Sequence, residues 1–378
     1  MDSPYLSIVT CSRNDDHGEG MLKRMHITLV SLLDQLEKYK VESEIILVDY
    51  NPPKGKLLLK DVLVCSKEAK YCSLRTIIVP ASIHRRCLDA DKVPFNGPLA
   101  FNVGLRRSRG QFVLLMPIDN LFSDELAEFL ANKSLENDKF YRADRLDVSR
   151  AVMEIDSPQD RIAFCKENIL WIHTRYGSFP VVRKKKRHLR SVNLNFVNSH
   201  RKSRRPLLHT NAPDIMLASR EAWFSIRGYP EIATFGLHLD SLLCYMAYYN
   251  GLKEEVLSPK CCLFHIDHDS RWRNIQPILL EKILFYLFSD RLALKLRWLI
   301  NGVLRKIKPG PGIIARNTMV KVNKLGANWV DIRPILSEMA CSGHPKLFNT
   351  ADWGLSEKSL DEYAISRAEW DKVVREKI

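Results

Sequence analysis

A chain of 378 residues, 46% hydrophobic and 27% charged, can bury one large core, and that composition excludes global disorder. No charge-free stretch reaches the length of about 18 residues that a membrane-spanning helix needs, and the opening MDSPYLSIVT lacks the basic-then-apolar pattern of a secretory signal. A net charge of +14 predicts attraction to an acidic partner: nucleic acid, an anionic membrane surface or a phosphate-bearing substrate. The nine cysteines include no CxxC, and the adjacent Cys261 and Cys262 suit neither a zinc site nor an ordinary disulfide. Reduced thiols and a cytoplasmic setting are therefore expected.

In chain order, Leu6–Cys11 is a short β-branched apolar run that ends in the polar loop Ser12 to Asp16. Residues 21–40 place Met21, Met25, Leu29, Leu32, Leu33 and Leu36 at helical spacing. Glu44–Tyr50 follows as a second apolar run closed by Asn51, Pro52 and Pro53. Two such runs around a helix predict a βαβ unit with strands buried on both faces. Leu74–Val79 and Gln111–Met116 extend the pattern as third and fourth strands. A short helix is expected over Asn102–Arg109 with Gly110 as its C-cap, and Ser123 caps a helix through Leu130. Further on, a strand is expected at Asp214–Ala218, helices at Ser219–Ile226 and Leu239–Asn250, and a strand at Lys260–His265.

Two segments depart from this patterning. The stretch 183–205 is dense in Lys, Arg and Ser and reads as an exposed flexible loop over 180–206. It could grip phosphates, although it lacks interleaved aromatics apart from Phe196, or it could be a solvated loop without a role. The segment 276–307 interleaves leucines with Lys and Arg, which suits a helix packed on its own domain or one lying on an anionic membrane surface.

Ligands of open α/β sheets sit beyond the carboxyl ends of the strands. That rule gathers Thr10 to Asp15, Asp49 and Asp119 around one crevice. A carboxylate such as Asp49 can accept from a base or a ribose hydroxyl there, or it can cap the turn before two prolines. Asp119 offers a hard oxygen to Mg²⁺ or Mn²⁺, or it makes an Asx turn. His265 and His268 can complete a metal shell, or they are edge histidines bonded to backbone. Asp240, at the start of a helix, suits either a helix-end anion or a general base.

The segments LSIVTCSRND, EIILVDYNPP and PLAFNVGLRRSRGQFVLLMPIDNLFSDEL, in that order, resemble family-two glycosyltransferases of the GT-A fold. In the resemblance Asp49 falls on the nucleoside-contacting Asp, the Phe101 to Gly104 stretch on the helix that carries Asn102, and Asp119 on the second acid of D-x-D. HTNAPDIMLASREAWFSIRGYPE resembles the acceptor-side strand and helix, HLDSLLCYMAYYNG puts Asp240 in the place of the catalytic base, and FHIDH puts His265, then His268, in the place of a metal-ligating histidine. The resemblance spans about residues 5–275. It implies a Rossmann-like mixed α/β sheet flanked by helices over 1–275, followed by a mainly helical extension over 276–378. It implies inverting transfer of a sugar from a nucleotide-sugar donor, most simply a UDP-sugar, with Mn²⁺ or Mg²⁺. Thr10, Arg13, Asp49, Asn102 and Asp119 would then hold the donor, Asp119, His265 and His268 the metal, and Asp240 the acceptor proton. The acceptor (glycan, lipid or protein) is unassigned, a peripheral membrane contact is open, and nucleic acid is the disfavoured partner. A nucleotidyltransferase, a silent GT-A-like binding module and a nucleic-acid binder are the alternatives.

Overall fold

Every residue of β1 (Leu6–Ser12) and β2 (Ser43–Tyr50) is buried, as strands covered on both faces require. Between them α1 (Met21–Lys38) turns Met25, Leu29, Leu32 and Leu36 inward. The chain continues through α2 (Leu59–Val62), β3 (Cys72–Val79), α3 (Ala81–His84), α4 (Gly97–Arg106), β4 (Phe112–Leu115), β5 (Asn120–Phe122) and α5 (Asp124–Ala131). Next come β6 (Lys139–Arg142), β7 (Arg145–Val148), α6 (Pro158–Glu167), β8 (Ile169–Thr174), β9 (Gly177–Pro180), β10 (Met216–Ser219), α7 (Arg220–Ser225), α8 (Leu239–Tyr249), β11 (Lys253–Val256) and β12 (Leu263–Ile266). Last are α9 (Ile332–Ser342) and β13 (Asp361–Ala364). This is a computed structural model, and it describes residues 3–63, 70–87, 90, 91, 93–175, 177–181, 206–210, 215–231, 239–268, 296 and 332–364. The basic stretch 183–205 and, apart from Leu296, the segment 276–307 lie outside them, as do Asp214, which opens a predicted strand, and the last residues, 365–378.

Eight strands form the main sheet in the order β11-β6-β10-β4-β1-β2-β3-β13. The β4-β1-β2-β3 centre is parallel, and β10 and β13 run antiparallel to their neighbours. A second sheet runs β5-β12-β7-β8-β9, with β12 parallel to β7 and antiparallel to β5. The architecture is therefore a Rossmann-like mixed α/β sheet flanked by helices. Among the described residues no helix is long and apolar enough to cross a membrane.

Strand alternation sends the core to both faces. Leu6, Ile8, Ile45 and Leu47 pack with α1, whereas Val9, Ile46, Val48, Val113 and Leu115 pack with Val103, Trp223, Leu242 and Met246. Each such aliphatic side chain contributes about 1.5–3 kcal/mol by leaving water. The Trp223 indole also donates to the Val113 carbonyl at 2.9 Å, which satisfies its one polar atom. A buried Glu44 accepts from the Ser7 hydroxyl, the Arg109 N–H and the Arg75 guanidinium, tying β1, β2, β3 and the turn after α4 together.

Two expectations about α4 change. The helix starts at Gly97, because Asn96 caps the Leu99 N–H and Pro98 suits the first turn. It ends at Arg106, with Arg107 as the cap, so Gly110 is no helix cap. Gly110 is needed for close approach instead, since a Cβ there would stand 2.5 Å from the Ser7 backbone nitrogen. The residues 332–364 return to the same body. Arg107 donates to the carbonyls of Gly354, Leu355 and Lys358, Trp353 is buried under the Arg106 guanidinium, and β13 closes the sheet edge.

Candidate metal and nucleotide site

The carboxyl ends of the parallel strands collect polar groups that the described residues do not satisfy. β1 and β2 are in register from Leu6 opposite Ser43 to Ser12 opposite Asp49, so both strands deliver their last residues to one place. There the Thr10 hydroxyl, the Ser12 hydroxyl, the Arg13 Nε and the Asp49 Oδ1 are all buried without a hydrogen-bond partner. Buried polar atoms are ordinarily paired, which makes this strand end a candidate ligand site. Asp49 uses only its Oδ2, which accepts from the Leu59 N–H at 2.8 Å. Burial pushes its carboxyl up to about 6, against the opposing pull of that N–H and of Arg13.

Asp119 follows β4, and its carbonyl accepts from the Ile266 N–H, which locks it beside the end of β12. Its Oδ2 lies 3.6 Å from His265 Nε2, 3.4 Å from His268 Nε2 and 3.7 Å from the Nε of Arg24. The ligand atoms of Asp119, His265 and His268 fall within 4.8 Å of one another. A cation bound at about 2.1 Å separates adjacent ligands by about 3.0 Å in an octahedron and about 3.4 Å in a tetrahedron. The 3.4 and 3.6 Å spacings from Asp119 Oδ2 are longer than well-formed hydrogen bonds and near those of neighbouring ligands in a coordination shell, while the trio as a whole is bounded at 4.8 Å. One carboxylate with two imidazoles suits a transition ion such as Mn²⁺ better than Mg²⁺, which demands oxygen. Burial pushes the Asp119 carboxyl up, but the charges of His265, His268, Arg24 and Arg145 outweigh it and hold it below the usual carboxylate range.

The loop between β1 and α1 closes over this cluster. Arg24 is fully buried and donates to the carbonyls of His17, Gly18 and Glu19, so one guanidinium shapes the loop and faces Asp119. Gly18 has φ +70°, and a Cβ on it would stand 2.9 Å from His268 Nδ1. Only glycine allows that backbone to lie against the imidazole.

Asp240 and Asn102 belong to a different network. The Tyr229 hydroxyl donates to Asp240 Oδ1 at 2.9 Å, and burial followed by the Asp240 charge raises that phenol well above its ordinary value. Asn102 donates to the Tyr229 carbonyl and to Glu231 Oε1, and accepts from the Tyr229 N–H. Its amide is spent on the turn that carries Tyr229, so Asn102 works as a brace where the sequence suggested a donor contact. Asn349 holds the same turn through the carbonyls of Arg227 and Tyr229 and the N–H of Glu231.

Sequence reasoning singled out neither Arg24 nor Asp147 and His173. The helical period does place Arg24 beside Met25 and Met21 on the buried face of α1, and a charge on such a face is a readable signal. A cavity of about 710 Å³ lies at the other end of the sheet, lined by Tyr5, Arg109, Gly110 and Phe112, and it holds none of the candidate residues.

No family model matches the chain, and no curated protein matches it. Among solved structures it is similar to the crystal structure of S. aureus TarS 1-349, at 15% identity and a TM-score of 0.38, over 70% of this chain and 60% of that one. The chain thus spans about 60% of the length of that structure, and a likeness of this size says nothing about chemistry.

Proposed function

We propose that this chain is a glycosyltransferase of the GT-A type that moves a sugar from a nucleotide-sugar donor to an acceptor hydroxyl with inversion. The observation that carries the reading is the Asp119, His265 and His268 cluster beside the orphaned polar atoms of Thr10, Arg13 and Asp49, all at the carboxyl ends of the strands. In this reading Arg13 and Asp49 hold the nucleoside with the Thr10 hydroxyl, and UDP is the first nucleotide to try. Asp119, His265 and His268 would hold Mn²⁺ in preference to Mg²⁺. Such a cation, when bound, offsets charge that develops on the diphosphate leaving group. Asp240 accepts the proton of the acceptor hydroxyl, and Tyr229 fixes the rotation of that carboxylate through its 2.9 Å hydrogen bond. The Arg24 guanidinium supplies a fixed positive charge on the phosphate side.

A panel of UDP, GDP, CDP and TDP, each with and without Mn²⁺, tests the donor site by thermal shift. A ligand that prefers the folded state raises the melting temperature. A rise for one diphosphate that needs Mn²⁺ supports the reading and names the base. No rise for any nucleotide removes it. Pro117, standing where the first acid of D-x-D would be, favours a second reading, a module that binds a nucleotide sugar without transferring it. A sugar-transfer assay on wild type and Asp240→Asn separates the two: the silent module binds nucleotide and transfers nothing even as wild type, the transferase reading expects transfer by wild type that is lost in Asp240→Asn with nucleotide binding unchanged, and equal transfer by both proteins sinks Asp240 as the base.

A further inference from the structure

β12 carries His265 and pairs in parallel with β7, and the register sets His265 directly opposite Asp147. Neighbours across a ladder share a face, so this pairing puts the two side chains within reach of each other. Asp147 is fully buried, and its position is held from three sides. Arg145 Nε donates to Oδ1 at 2.7 Å, and His173 Nε2 contacts Oδ2 at 2.8 Å. His173 is itself held by the Ser178 hydroxyl on β9, 2.7 Å from its Nδ1. The Nδ1 of His265 stands 3.1 Å from Asp147 Oδ1, at ion-pair distance though off the axis of an aligned hydrogen bond. The other ring nitrogen, Nε2, faces Asp119 at 3.6 Å.

We infer that Asp147 is a positioning residue that keeps the proton of His265 on Nδ1 and so presents the Nε2 lone pair to a divalent cation at Asp119. The inference rests on the metal reading above. An imidazole can ligate only through the nitrogen that carries no proton, and the partner of the other nitrogen selects the tautomer. Carboxylates behind metal-bound histidines serve that purpose, and their loss weakens metal affinity by about 10- to 100-fold. His173 and Arg145 hold the carboxylate in place, and Ser178 holds His173, so the chain of contacts runs from β9 through β8 and β7 to β12. A purely structural Asp147 would hold Arg145 and His173 and nothing more. Its loss would then lower stability without changing the metal response of the folded protein or the tautomer of His265.

The test titrates Mn²⁺ alone into the full chain by calorimetry for wild type, Asp119→Asn and Asp147→Asn, and reads the His265 tautomer by nitrogen-15 NMR in metal-free wild type, assigned by its loss in His265→Gln. The expected result is Mn²⁺ binding by wild type, its loss in Asp119→Asn, a dissociation constant about 10- to 100-fold weaker in Asp147→Asn, and a proton on His265 Nδ1. No binding by wild type would sink the metal reading itself. Binding by wild type that is lost in Asp119→Asn but unchanged in Asp147→Asn overturns the role of Asp147 alone. If Asp147→Asn does not fold, the wild-type tautomer decides, and a proton on Nε2 overturns the inference.

Discussion

Asp49 should cost the protein stability at neutral pH, and Asp49→Asn should recover it. The folded carboxyl titrates at about 6, against 3.8 in the unfolded chain, because burial disfavours its charged form. The folded state therefore binds this proton more tightly than the unfolded state. Stability falls as pH rises through the window from about 4 to about 6, and the whole penalty is present above it. A shift of about two units corresponds to about 3 kcal/mol. The gain from the Asn is smaller, about 1–3 kcal/mol, because Arg13 loses a neighbouring negative charge and retains Asp15 at 3.2 Å. The hydrogen bond from Leu59 survives, since the Asn carbonyl can accept it. At about 2 °C per kcal/mol for a chain this long, the variant should melt about 2–6 °C higher at pH 7.5. Near pH 4, where both proteins carry a neutral side chain, the difference should vanish. The assay is thermal and urea denaturation of both proteins from pH 4 to pH 8, followed by UDP binding at pH 7.5. A variant less stable than wild type at pH 7.5, with the same pH slope, would mean that burial does not penalise the Asp49 charge. A stabilised variant that has lost its nucleotide response would show a strained group kept for a ligand.

Three further perturbations probe the scaffold. Gly18→Ala puts a side chain on a backbone at φ +70° and 2.9 Å from His268, so it should cost about 1–2 kcal/mol and weaken Mn²⁺ binding more than tenfold, as calorimetry would record. Gly104→Ala drives a methyl to 2.4 Å from Val9 Cγ1, and should destabilise by about 1–3 kcal/mol, with part of the loss recovered in a Gly104→Ala, Val9→Ala double variant measured by urea denaturation. Trp353→Ala should cost about 3–5 kcal/mol, because the ring is buried between Arg106 and Phe224; a change within 0.5 kcal/mol would mean that residues 349–358 do not belong to the core.

The β1-α1-β2 start was readable because strands buried on both faces leave unbroken apolar runs, and the helix between them keeps a 3.6-residue period. The region from 139 to 180 was not readable. β6 and β7 have four residues each, and charged Arg145 and Asp147 alternate with Leu146 and Val148 as they would on an exposed edge. β7 is no edge, because β12 and β8 pair with its two sides, and nothing local in the segment announces those partners. The metal candidates Asp119, His265 and His268 were legible from the apolar runs they follow or close, since Asp119 lies in the turn between β4 and β5 and the two histidines lie at and just beyond the end of β12. Asp147, one strand away, was visible only through the register. Asn102 shows the opposite failure: its place in a familiar helix suggested a donor contact, yet its amide is spent on Tyr229, 127 positions further along the chain. The place of Gly110 after a helix suggests a cap, whereas its actual constraint is the backbone of β1.

A nucleoside diphosphate held through a cation at Asp119 is the core of the proposed chemistry, and a calorimetric titration of UDP, run with Mn²⁺ and again with EDTA, puts it to the test. Wild type should bind UDP at least tenfold more tightly in Mn²⁺, and that difference should be abolished in Asp119→Asn. Equal affinity in Mn²⁺ and EDTA, or a Mn²⁺ effect that survives in Asp119→Asn, would contradict it.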